Sequence, residues 1–213
     1  MRVLFINPNA TVSMTEKIGA AARSVAGPGT TILTATNHAG PPSIQGAADG
    51  EAAEPGLLAL IRDRQAEADA FVIACFDDTG LAAARVLTGK PVLGIGEAAM
   101  RAAAAAGPFS VVTTLSVSLP VIEANVSAYG LAAACRRVRA SEVPVLDLEE
   151  PGSAARETVA AEIASAIVED EPSAIVLGCA GMADLAARFT ARFGVPVIDG
   201  VVTAVRALEA RAR

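Results

Sequence analysis

The sequence contains no tryptophan, one tyrosine and six phenylalanines, too few aromatic faces to stack nucleic-acid bases or to build a sugar platform. Its 17 basic residues are dispersed and outnumbered by 23 acidic ones, giving a net charge of −6. Such a distribution has no cationic footprint for phosphate backbones or anionic lipid, and neither nucleic acid nor a membrane is expected as a partner. Long apolar runs are missing as well. Apolar residues make up 53 % of the chain, but they come in short blocks broken by Gly, Pro and charge, unlike a membrane span. Met1-Arg2-Val3-Leu4-Phe5 runs at once into Asn7-Pro8-Asn9, which is too brief for a secretory leader and has no cleavage site. A cytoplasmic location is expected. Three widely spaced cysteines give no disulfide framework and no C-x-x-C zinc spacing, so reduced thiols without a metal are expected. The one histidine, His38, has no Ser or Cys neighbour in sequence, and a Cys-His hydrolytic dyad would depend on the fold to assemble it.

What is present is an alternation. A chain of 213 residues can bury one core or fill two compact lobes of about 100 residues each. Short β-branched runs at 3–6, 31–33, 71–74, 92–93, 110–113, 143–146, 174–177 and 197–198 each end in a polar or Gly turn and lead to an Ala-rich stretch. Apolar spacing predicts helices near 11–26, 55–68, 80–87, 97–106, 119–129, 153–169, 182–193 and 201–211. That is the βαβ pattern of an α/β fold with parallel sheets flanked by helices.

The chain also repeats itself. Ala70-Phe-Val-Ile-Ala-Cys75, with its polar turn, Ala-rich helix and Gly89-Lys-Pro-Val-Leu-Gly94, matches Ala174-Ile-Val-Leu-Gly-Cys179 and the path to Gly194-Val-Pro-Val-Ile-Asp199. A weaker echo relates the stretch from Phe5 to Thr11 to that from Val111 to Ser116. A duplicated α/β lobe explains both. The expected division is residues 1–96 plus 200–213, carrying Cys75, and residues 97–199, carrying Cys179, as two pseudo-symmetric lobes facing each other across an active-site cleft.

Ligands of parallel α/β sheets bind beyond the carboxyl ends of strands, where both cysteines lie. Each is expected just before a helix, whose free N–H groups and dipole would draw the thiol pKa down toward neutrality. Opposed across a cleft, one thiolate can remove a proton from a weakly acidic carbon while the other thiol returns one to the opposite face. Backbone N–H groups of Phe76, Asp77, Ala180 and Gly181 are candidates to hold the resulting enolate-like oxygen. The scheme needs no metal, pyridoxal or nicotinamide. A lone buried cysteine is ordinarily an inert small hydrophobe, and Cys135 is read so; duplication sets Cys75 and Cys179 apart.

Other positions have double readings. Asn9 (with Asn7), Thr113 and Thr114 end corresponding strands and either line the cleft or cap helices. Asp77 and Asp78 are expected to cap the helix after Cys75, and Asp199 the last helix. Ile44 lies in the Pro41-Pro-Ser-Ile44-Gln45-Gly loop, a candidate lid or specificity segment. Gly94-Ile-Gly96-Glu-Ala-Ala99 has the G-x-G-x-x-A form of a nucleotide site, but the acidic ribose partner about 20 residues on is missing. A non-catalytic small-molecule binding module would leave the matched cysteines unexplained.

Several motifs resemble the aspartate/glutamate racemase superfamily, and within it the hydantoin racemase branch. They are Asn7-Pro-Asn-Ala-Thr-x-x-Met-Thr15, Pro42-Ser-Ile44, Ala74-Cys-Phe-Asp-Asp-Thr-Gly-Leu81, Gly94-Ile-Gly-Glu-Ala98, Val112-Thr-Thr-Leu115, Leu177-Gly-Cys-Ala-Gly-Met182 and Gly194-Val-Pro-Val-Ile-Asp-Gly200. The resemblance spans essentially the whole chain. It implies a two-lobed α/β fold, no cofactor, paired cysteines matching Cys75 and Cys179, and a small cyclic ureide as substrate, either a 5-monosubstituted hydantoin or allantoin. Aspartate or glutamate racemisation, malonate decarboxylation and cis-diacid isomerisation are the related alternatives. The family often has a basic residue shortly after Thr-Thr-Leu, where this chain has Ser116-Val117-Ser118, a departure that bears on substrate choice. A homo-oligomer is the expected state of assembly.

Overall fold

Three runs in which every residue is buried, Ala70–Ile73, Phe109–Thr113 and Ala174–Leu177, together with residues 3–7, are apolar on both faces apart from Asn7, Ser110 and Thr113. Such runs fit only the interior of parallel sheets covered on both sides. The computed structural model, which describes residues 1–150 and 154–212, places them at the centre of two sheets. In the first, β1 (Arg2–Asn7), β2 (Thr31–Thr36), β3 (Ala70–Ile73) and β4 (Val92–Gly94) stand in the order β2-β1-β3-β4, all parallel. In the second, β5 (Phe109–Thr113), β6 (Cys135–Ala140), β7 (Ala174–Leu177) and β8 (Val197–Ile198) stand in the order β6-β5-β7-β8, again all parallel. The second sheet thus repeats the strand order of the first, which the cysteine-bearing repeat anticipated.

Helices α1 (Val12–Val25), α2 (Ala47–Asp63), α3 (Leu81–Leu87), α4 (Ile95–Ala106), α5 (Leu119–Ala128), α6 (Ala155–Asp170), α7 (Ala186–Phe193) and α8 (Gly200–Arg211) cover the sheets. Alternation along each strand decides what each face meets. Val3, Phe5 and Val72 pack on Ile18 and Ala22 of α1 and on Val201, Val205 and Leu208 of α8. Leu4, Ile6, Phe71 and Ile73 face Leu57 and Ile61 of α2 and Leu81 and Ala84 of α3. In the second sheet, Val112, Ile175 and Leu177 meet Val159 and Ile163 of α6 and Phe189 of α7. Phe109, Val111 and Val176 meet Ala99, Met100 and Ala103 of α4 and Ile122 and Val126 of α5. Ala99 and Ala103 of α4 are therefore packing contacts, where small side chains let helix and sheet approach closely, while Ala105 and Ala106 at the end of the alanine run are exposed. No described helix is long and apolar enough to cross a membrane.

Three boundaries differ from the sequence expectation. The sixth strand is Cys135–Ala140, and the β-branched stretch at 143–146 instead enters a 3-10 helix at Val145–Leu148. The true strand is an edge strand whose Arg137 and Arg139 reach Glu162, Glu169 and Asp170, so ion pairing replaces the apolar alternation that marks a half-buried strand. Helix α2 begins at Ala47 and carries Pro55 inside it; the predicted start at Pro55 omitted two turns of good helix formers. The stretch predicted as one helix at 182–193 is a 3-10 helix at Ala180–Met182 followed by α7. The predicted start of the sixth helix, Ser153, lies outside the described residues.

Candidate active site

Cys75 lies two residues beyond the end of β3 and Cys179 two beyond the end of β7, and β3 and β7 hold equivalent places in the two sheets. Equivalent turns therefore deliver both sulfurs, and both line one cleft. With them stand Asn9, Ile44, Phe76, Asp77, Thr113, Thr114 and Ala180, every other sequence-predicted site residue except Gly181. The Gly181 N–H instead donates to Cys179 Sγ at 3.4 Å. The Asp77 N–H makes the corresponding bond to Cys75, so each sulfur is met by the amide two residues on. Thr79 Oγ1 adds a longer contact to Cys75 Sγ at 3.7 Å. A larger groove of about 490 Å³ between α4 and α8 is lined by Leu93, Ala98, Ala102, Ile198 and several arginines, but it holds no cysteine and none of the predicted site residues.

The electrostatics differ from expectation. A turn follows Cys75, and α3 begins only at Leu81; Cys179 precedes a single 3-10 turn. Neither sulfur meets the end of a long α-helix, so the dipole that would lower a thiol pKa is missing. Burial instead pushes the Cys75 thiol well above its ordinary value, and the Asp77 carboxylate adds to the rise against the bonds from the Asp77 amide and Thr79. Burial likewise pushes Cys179 up to about 12, opposed by the Gly181 N–H and raised further by Asp77 and Glu149. Both sulfurs rest as thiols. Burial also lifts Asp77 from 3.8 to about 7, while the Ser118 hydroxyl favours its charged form.

The remaining polar residues divide by partner. Asn9 Oδ1 accepts from the Asn7 side chain at 2.8 Å and from the Thr11 N–H at 3.0 Å, while Asn9 Nδ2 meets only the weak acceptor Met14 Sδ, at 3.2 Å. That amide is the better placed of the two to meet a ligand. The helix-cap reading fails for Asn9, because α1 is capped at Thr11 without a side-chain bond. Thr113 Oγ1 donates to the Gly178 carbonyl at 2.8 Å and so ties the end of β5 to the Cys179 turn. His38 is exposed and does not line the cleft, so no Cys-His dyad is assembled. Asp199 does cap the last helix, accepting from the Val202 N–H at 2.8 Å.

Asp78 corrects two expectations at once. Neither Asp77 nor Asp78 caps α3, whose N-cap is Gly80 without a side-chain bond. Asp78 turns the other way, and its carboxylate accepts from the Gly96 and Glu97 N–H groups at 2.9 and 2.7 Å, at the start of α4, and from Tyr129 Oη at 2.6 Å. A Cβ added at Gly94 or Gly96 would overlap that carboxylate or the Phe76 carbonyl. The glycines of the nucleotide-like motif thus make room for a carboxylate of the chain itself, which fills the anion position that a phosphate takes at such a helix N-terminus.

The two walls of the cleft are in contact. Gln45 Oε1 accepts from the Val145 N–H at 3.1 Å, and Glu149 binds Lys17 Nζ at 2.6 Å and Ser13 Oγ at 2.9 Å. The free space left between the walls is about 20 Å³, enough for one water. The loop holding Ile44 thus touches the second half through Gln45. Lining residues that sequence reasoning missed are Met14, Ala74, Ser118, Val145 and Gly178. Met14, Ala74 and Gly178 lay within quoted motifs, and Ser118 within the segment that departs from the family pattern. Val145 was hidden by its assignment to a strand.

A sequence model described as Asp/Glu/Hydantoin racemase matches residues 3–208. The chain is 47 % identical over 212 residues to a hydantoin racemase of Rhizobium meliloti, covering 99 % of this chain and 88 % of that protein. Among solved structures, an allantoin racemase from Klebsiella pneumoniae superposes with a TM-score of 0.95 at 47 % identity, covering 99 % of this chain and 86 % of that one. An allantoin racemase from Pseudomonas fluorescens gives 0.93 at 39 % identity, covering 100 % and 91 %.

Proposed function

The chain belongs to the Asp/Glu/hydantoin racemase family and is an isomerase of the racemase type, and from that premise we propose that it racemises 5-monosubstituted hydantoins without a cofactor, by proton transfer between Cys75 and Cys179. The observation that carries this reading is the pair of sulfurs set on equivalent turns of two sheets with the same strand order, lining one cleft. Nothing but acid and base on opposite faces is required to invert a carbon acid.

One sulfur, as thiolate, takes the C5 proton, and the C–H electron pair passes into the ring carbonyl as an enolate. The opposite thiol delivers its proton to the other face, and the carbonyl re-forms. The first sulfur ends as thiol and the second as thiolate, so the next turnover begins from the mirror-image state. The Asp77 and Gly181 amides are committed to sulfur, which leaves the Phe76 and Ala180 amides as the donors for the enolate oxygen. A thiol raised by burial is a stronger base once ionised and closer in pKa to a weak carbon acid. Opening the cleft to admit substrate brings water to both sulfurs and relieves part of the burial penalty on the thiolate.

None of the described lining residues is Lys, Arg or His. That favours a neutral ring over the carboxylate of aspartate or glutamate. Allantoin is a second such ring, and the Klebsiella pneumoniae relative supports it equally.

The test is racemisation and C5 proton exchange in deuterated water, followed by polarimetry and NMR on hydantoins, allantoin, aspartate and glutamate. Cys75→Ser and Cys179→Ser are each expected to lose racemisation by about 10³-fold, the scale of a general acid or base, while retaining exchange with one enantiomer only. Undiminished racemisation by either variant would sink the two-base assignment.

A further inference from the structure

Asp77 Oδ2 is the one side-chain nitrogen or oxygen among the described residues that is buried with no hydrogen-bond partner. Asp77 itself is 9 % exposed and lines the cleft with both sulfurs. Folded proteins seldom leave a buried carboxylate oxygen unsatisfied, because the lost hydration is not returned. No cation relieves this one, since none of the described lining residues is Lys, Arg or His. Nor is the turn free to swing it toward solvent. Asn125 Nδ2 donates to the Asp77 carbonyl at 2.9 Å, and the next residue, Asp78, is fastened to the start of α4.

An acceptor held in place, in a cleft without cations, is matched by a neutral N–H donor on the ligand. Resting on the hydantoin reading above, the geometry points to Asp77 as the residue that selects a ureide: its Oδ2 accepts a hydrogen bond from a ring N–H of the substrate. The same carboxylate stands against the negative charge of an α-amino acid, which turns the substrate preference of the cleft into a property of one side chain. Asp77 was expected to serve through its backbone N–H; that group is occupied by Cys75, and the side chain takes the substrate instead. No bond is made or broken in this step, and above about pH 7, where Asp77 is ionised, the carboxylate acts by charge-assisted hydrogen bonding.

The experiment pairs changes in protein and substrate. The ratio kcat/KM for C5 proton exchange in deuterated water is measured for a 5-substituted hydantoin and its 1-methyl and 3-methyl derivatives, with wild type, Asp77→Asn and Asp77→Ala, all checked for folding by thermal melt. Wild type is expected to lose about 10- to 100-fold when the nitrogen facing Asp77 is methylated, the cost of a lost bond to a charged group, and little when the other is. Both variants are expected to shrink that penalty to a few-fold. Asn has the volume of Asp, so a purely steric penalty would persist in Asp77→Asn and be relieved only in Asp77→Ala, and that pattern overturns the inference. Methylation penalties equal in all three proteins, or a wild type indifferent to both methyl groups, also overturn it. If Asp77→Ala fails to fold, Asp77→Asn carries the test alone. A wild type that exchanges no hydantoin overturns the functional reading and the inference together, whereas exchange with unchanged methylation penalties removes the inference alone.

Discussion

Asp77→Asn is expected to stabilise the protein above neutral pH and not in acid. Burial lifts the Asp77 carboxyl from 3.8 to about 7, so the folded state holds its proton where the unfolded chain has lost it. A raised folded-state pKa contributes stability that is complete below the unfolded value and disappears as pH rises through the folded one. The window here runs from about pH 4 to about pH 7. At about 1.4 kcal/mol per pH unit, the interval is worth at most about 4 kcal/mol. Above it, the folded protein carries a buried charge with an unpartnered oxygen. Asparagine does not titrate, but its carboxamide replaces a carboxyl that is bonded to Ser118, at a cost of about 1–2 kcal/mol. The net expectation is a gain of about 2 kcal/mol at pH 8 and a small loss at pH 4. Asp78 and Asp199, raised by burial to about 7 and about 6, titrate in both proteins and cancel in the difference. Urea denaturation midpoints of the two proteins, taken at several pH values, give the answer. A stability difference that stays constant from acid to alkali would refute the reasoning. Combined with the ureide inference, the same variant should gain stability as it loses substrate preference.

Three further outcomes are expected from the site. Because burial holds both thiols above their ordinary values, the base form is scarce at neutral pH, and kcat/KM is expected to climb with pH from neutrality upward by nearly tenfold per unit; a flat pH profile would count against a thiolate base. Asp78→Ala strips the carboxylate from two N–H groups of α4 and from Tyr129, and is expected to cost about 2–3 kcal/mol in denaturant titrations, with added phosphate recovering part of the loss in the variant and none in wild type. Gly96→Ala forces a Cβ into the Phe76 carbonyl, beside the Cys75 turn, and should lower stability by about 2 kcal/mol or more together with exchange activity; a variant with wild-type melting and rates would show that the turn has slack.

Much of this arrangement was written in local pattern. The central strands read as continuous apolar runs because both faces are covered, and the cysteine repeat surfaced because duplicated turns keep their sequence. Nearly every predicted cleft residue did reach the cleft, since strand ends and the turns after them are adjacent in any parallel sheet. What escaped depends on contacts distant in sequence. The edge strand Cys135–Ala140 is held by Arg139 and acids of α6, a pairing that no periodicity in the strand itself announces. The raised thiols were missed because a sequence names the neighbours of each cysteine along the chain but not the depth at which the fold buries it. Asp78 was read as a cap for the nearest helix, yet its partners lie 18 and 19 residues away, where two glycines looked like a phosphate site for the very reason that they accommodate an anion.

The repeated strand order of the two sheets has a thermodynamic counterpart. The two enantiomers of a substrate with one stereocentre have equal free energy, so the Haldane relation fixes kcat/KM at the same value in both directions, whatever the protein does. A scaffold with a single sulfur-bearing turn would have to reach that equality through two unlike routes. Under the proposed two-base reading the routes are near copies, one starting from the sulfur met by Thr79 and one from the sulfur met by the Gly181 amide alone. Any inequality between them must surface as a difference in kcat between the two enantiomers matched by an equal-fold difference in KM, never in their ratio.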